Sequence, residues 1–108
     1  MVGHVIDSER IFSARALIFA RGDAARLPGF EQDDYVATAS HDSVPLPELV
    51  AELDAVRRST VFLFRHLSEE AWLRRGTAND AEISVRALAY IIAGHELHHW
   101  EMLQSRYL

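Results

Sequence analysis

The chain holds 108 residues (12.2 kDa), a length that fits one domain and leaves no room for a second core. Hydrophobic residues make up 49% and charged residues 25%, which excludes a disordered, collagenous or membrane-spanning chain, and a net charge of -5 gives counterion-release binding to DNA or RNA no source. All 11 basic residues are arginine and cysteine is absent, so Schiff-base lysines, phosphate-loop lysines, thiolate nucleophiles, disulfides and iron–sulfur clusters are excluded together.

The first predicted helix runs from about Gly3 to Arg21, without proline or internal glycine, on an apolar series Val5, Phe12, Ala16 and Phe19. Gly22 supplies its stop. From Asp23 to Pro45 two prolines, Gly29 and scattered Asp, Ser and Thr break any period, apart from a short turn near Phe30 to Val36. A link of about 20 residues or more is what two consecutive parallel helices of a bundle require, so this segment reads as a crossover. The N-terminus has no basic segment followed by an apolar run, which leads to the expectation of a cytoplasmic protein with no membrane partner.

The second long helix opens at Pro47-Glu48 and continues to about Leu67. Ser68-Glu69-Glu70-Ala71 reads as the cap and first turn of a short extra helix, and Gly76 to Glu82 as a turn. Ser84 caps a last helix, Val85 to about Tyr107, whose first half (Leu88 to Ala93) is apolar on nearly all sides and therefore central or an interface. No strand alternation of useful length appears, and the fold class is all-α.

Chemistry concentrates in Gly94-His95-Glu96-Leu97-His98-His99-Trp100-Glu101. His95 and His99 stand four apart, a helical spacing that suits two ligands of one metal ion, and they continue the stripe Leu88, Ile92. Two imidazoles on an apolar seam need their nitrogens satisfied, by a cation or by facing side chains. His4, Ser8, Ile11, Arg15 and Ile18 form a stripe on the first helix, so a His, a hydroxyl and an Arg lie on or beside its apolar face; the alternative is an idle His4 at a frayed end and an Arg15 that snorkels to water. His41 and His66 read as surface residues. Residues 95–99 also match H-E-x-x-H, the zinc-peptidase helix, but only nine residues follow His99 and no substrate-holding strand is visible, so that alternative ranks low.

His4-Val5-Ile6-Asp7-Ser8-Glu9-Arg10, Ala-Arg-Gly-Asp at 20–23, Leu-Pro-Gly-Phe at 27–30, and Ser84-Val85-Arg86-Ala87-Leu88 leading into Gly-His-Glu-Leu-His-His together resemble the DinB superfamily, in particular its damage-inducible-like and thiol-dependent transferase branches. The resemblance spans almost the whole chain. It implies an up-down-down-up four-helix bundle with the long crossover between the second and third helices. It also implies a divalent metal, zinc or nickel first and iron next, held by His4, His95 and His99. The family's first helix would precede the His4 segment, so either this chain is a portion of a longer one or a second copy covers the exposed faces as a homodimer.

Three neutral imidazoles would leave a coordination position open, which points to a metal-dependent thiol S-transferase or a hydrolase acting on a small molecule, with a low-molecular-weight thiol as co-substrate. Ser8 and Arg15 would hold a substrate carboxylate, with Glu96 or Glu101 as acceptor or proton carrier. The competing class is a non-catalytic, metal-stabilised interaction or sensor module.

Overall fold

The computed structural model describes residues 2–23, 25–30 and 32–94. Helix α1 spans Val2–Ala20 and ends as expected: the Gly22 amide donates to the Phe19 carbonyl and the Asp23 amide to that of Ile18, the paired bonds of a Schellman stop. The crossover carries a two-residue strand β1 (Arg26–Leu27), a two-turn helix α2 (Gln32–Thr38) and a single 3-10 turn His41–Ser43. Helix α3 follows at Leu46–Arg65, with Pro47 in its first turn, where a missing amide hydrogen costs nothing. The short helix α4 (Glu69–Leu73) is capped by Ser68, whose Oγ accepts from the Ala71 amide.

The segment read as a turn is instead a hairpin. Strands β2 (Arg75–Ala78) and β3 (Ala81–Ser84) pair antiparallel through the two-residue turn Asn79-Asp80, both with positive φ (53° and 61°), and β1 adds in parallel so that the order is β1-β2-β3. The expectation of no strands fails here, because four-residue strands are too short for a period to show. Ser84 then caps helix α5, its Oγ accepting from the Ala87 amide, and the described part of α5 covers 85–94.

One core joins these elements. Phe19, Ala16 and Ala20 of α1, Ala71, Ala78, Val85 and Leu88 are buried together, with Leu63, Phe64 and Leu67 packed against them. Phe19 is fully buried because Gly76 lets its ring lie on the β2 backbone; a Cβ at 76 would overlap that ring. Phe64 stacks on Trp72 at 5.3 Å between centroids, closing the lower end.

Contacts at both ends fix the direction of the helices. Midway along α1, Arg10 pairs with Glu52 in the second turn of α3 at 2.7 Å, and the last turns of both helices, with Phe19 and Ala20 on one and Leu63 and Phe64 on the other, join one core, so α1 and α3 run parallel, as the crossover length required. Val85 and Leu88 sit at the Phe19 end, while Ile92 reaches the groove lined by Arg57 and Thr60 higher up α3, so α5 runs antiparallel to both. The fold is all-α in its main body, with the small sheet confined to the Phe19 end.

Candidate functional site

The site predicted from sequence begins on the first turns of α1. Buried residues there are Gly3, Val5, Ile6, Ser8 and Glu9, so this half of the helix is enclosed on most sides. His4 is half-buried, and Ser8, one turn later on the same face, is 0% exposed. Ser8 also stands eleven residues, about three turns, before Phe19, on the same side of α1 as that buried ring. Its Oγ has no hydrogen-bond partner among the described residues. The other two buried polar side chains of the described residues, Glu9 and Thr60, are both satisfied.

Glu9 was not singled out from sequence, yet it is the centre of the strongest polar network. Its carboxylate is 3% exposed and accepts from Arg57 Nη2 at 2.7 Å, from Arg57 Nε at 3.1 Å to each oxygen, and from Thr60 Oγ1 at 2.7 Å. This clamp joins α1 to α3 one helical step past Ser8 and holds the site's backbone in register. The available signal was an acid on the apolar series Val5, Glu9, Ala16, which demands a cation from a facing helix.

The crossover is fastened to the same end. His41 was read as a surface residue; instead its ring packs on Gly3, where any Cβ would collide with it, and its Nε2 lies 3.4 Å from Asp7 Oδ2. His66 is exposed, as expected. Arg15, placed from sequence beside Ser8, donates from Nη2 to the Pro28 carbonyl at 2.8 Å, and its guanidinium lies 5.9 Å from the Phe12 ring and 5.6 Å from Phe30. Phe30 in turn meets Phe12 at 6.1 Å and Tyr35 at 5.3 Å. The Leu-Pro-Gly-Phe segment is thus the part of the crossover that Arg15 holds.

His95, Glu96, His99 and Glu101 lie outside the described residues, and with them two of the three expected metal ligands. Among the described residues no group of three His, Cys, Asp or Glu side chains is close enough to hold a metal ion. The described residues also include no helix long and apolar enough to cross a membrane. The hairpin absent from the sequence reading does not serve His4: β2 packs on Phe19, fifteen residues or about 22 Å along α1 from His4.

A second feature occupies the outer side of α4 and α5. Trp72, Leu73, Arg86 and Tyr90 line a groove of about 630 Å³, in which Leu73 and Tyr90 are 66% and 67% exposed. Val61 and Phe62 of α3 and Ile91 of α5 add further exposed apolar surface.

Compared with known proteins, residues 1–103 match the sequence model of the DinB superfamily. Neither a curated protein nor a solved structure matches the chain.

Proposed function

Because the chain belongs to the DinB superfamily, whose members commonly bind metal, we propose that it holds a divalent cation through His4, His95 and His99 and acts on a small molecule as a thiol S-transferase or a hydrolase. The observation that carries this reading lies on the first turns of α1, where half-buried His4 stands one turn from a fully buried hydroxyl that has no partner among the described residues. A buried hydroxyl left unsatisfied forfeits about 1–3 kcal/mol as plain core, and it fits a site that is completed by something bound.

When bound, a cation on three neutral imidazoles keeps an exchangeable position and lowers the pKa of a thiol or water there. The chain's own residues supply the rest. Glu9 and Arg57 fix α1 against α3, Asp7 and His41 hold the crossover against the first turn, and Arg15 closes its aromatic segment. With Nη2 on the Pro28 carbonyl and the guanidinium beside two rings, Arg15 serves as a latch for the crossover before it serves as a substrate clamp. Glu96 keeps the role of proton carrier in this proposal.

The same reading includes a homodimer in the cytoplasm. The exposed face of α4 and α5 carries Glu69 and Arg86 on the walls of one groove, so a second copy related by a two-fold axis meets opposite charges around the apolar Leu73 and Tyr90. Light scattering on dilution, with Tyr90→Glu beside wild type, tests it: the dimer mass should be lost in the variant, and a wild-type monomer at all concentrations would end this part of the proposal.

Calorimetric titration of the chelator-treated protein with zinc and nickel tests the metal reading. One equivalent of metal is expected in wild type and a loss of binding in the His95→Ala/His99→Ala variant. Turnover with a thiol and an electrophile then separates transferase from a metal-stabilised module that binds and turns over nothing.

A further inference from the structure

We infer that the groove between α3 and α5 binds a small anionic amphiphile, an apolar chain that ends in a carboxylate, with Arg65 as its head-group partner; binding there requires no metal. The groove encloses about 340 Å³ between Val61, Phe64 and Arg65 of α3, Trp72 of α4, and Ala89 and Ile92 of α5. Phe64 and Trp72, stacked at 5.3 Å between centroids, give it an aromatic floor. Val61 on its wall is 44% exposed, so an apolar chain laid along α3 removes hydrocarbon surface from water on both partners.

Charge selects the occupant. Among the described residues no acid lines the groove, and its two cations differ in what they hold. At one end Arg57 and Thr60 both donate to the Glu9 carboxylate, which leaves that end close to neutral. Arg65 stands eight residues, about 12 Å, further along α3. It makes no ion pair with a described residue, and its guanidinium lies 5.4 Å from the Phe62 ring centre, an arrangement that steadies the plane and leaves the N–H fork for a carboxylate. A second copy set on this groove by a two-fold axis would bring the same cationic face and no acid to meet it. The neighbouring α4–α5 groove differs in carrying both Glu69 and Arg86, the mixed signs that suit a self-complementary contact. Apolar walls with one uncommitted arginine at the mouth match a ligand of the opposite design, a chain with one negative end.

The test follows Trp72 fluorescence in a Trp100→Phe background, where a single indole reports from the groove, during titration with decanoate, decanol or a decyltrimethylammonium salt below their micelle concentrations. Decanoate should bind saturably and about tenfold more tightly than decanol, and the cationic amphiphile more weakly than either. Arg65→Ala should lower decanoate affinity about tenfold and leave decanol unchanged, while Arg65→Lys keeps decanoate binding within about threefold. Val61→Asp, at an exposed position, should abolish both while the helical circular dichroism signal is kept. Absence of decanoate binding in the Trp100→Phe protein, equal affinity for decanoate and decanol, or decanoate binding undiminished in Arg65→Ala would overturn the inference. A decanoate affinity that falls as protein concentration rises, in step with dimer mass in light scattering, would assign the groove to a second copy and overturn it as well.

Discussion

Glu9 and Arg57, 48 residues apart, form the tightest link between α1 and α3: two arginine nitrogens reach a carboxylate that is only 3% exposed, the shortest contact being 2.7 Å. A buried pair of this kind adds little over a well-packed apolar pair, but removing one partner strands the other charge. Arg57→Ala should therefore cost about 3–5 kcal/mol in urea denaturation, because Thr60 alone then faces the Glu9 carboxylate. Thr60→Val removes one neutral donor to the same carboxylate and should cost about 1–2 kcal/mol. Equal, small losses for both variants would show that the clamp is not built as described.

Gly76 and Gly94 make a matched pair of tests for the core. A methyl group at 76 runs into the Phe19 ring, whereas one at 94 meets nothing within 4 Å among the described residues. Gly76→Ala should destabilise by about 1–3 kcal/mol through displaced packing, and Gly94→Ala, in helix α5, should be neutral or stabilising by up to about 1 kcal/mol. Thermal melts of the two variants decide it, and the opposite order would place the sheet elsewhere.

Arg15 and His41 pin the crossover at two points, the first on Pro28 and the second on Gly3 and Asp7. Arg15→Ala should leave global stability within about 1 kcal/mol of wild type while exposing the segment 23–45 to limited proteolysis. Cleavage in that segment at the wild-type rate would mean that the latch does not restrain it.

Much of the helical frame was legible because helices write their period and their ends into nearby residues. Gly22 stops α1, Ser68 caps α4 and Ser84 caps α5, each where the sequence placed it. The parallel course of α1 and α3 was legible from crossover length alone. The hairpin was not, since its four-residue strands carry no period, its first partner β1 lies some 50 residues earlier, and only Asn79-Asp80 marked a tight turn. Long-range polar pairing escaped for the same reason: nothing local to Glu9 names Arg57, and nothing near His41 names Gly3. Of the candidate site, His4, Ser8 and Arg15 fall within the described residues, with Arg15 turned to the crossover, while His95, Glu96 and His99 fall outside them.

Metal content measured by elemental mass spectrometry, on protein purified without chelators, tests the central claim most directly, with His4→Ala run beside wild type. The account predicts close to one divalent ion per chain in wild type and a large loss in the variant, since an imidazole nitrogen of α1 completes the ligand set. A wild-type protein that stays metal-free after reconstitution, or a His4→Ala variant that keeps its full metal, would contradict it.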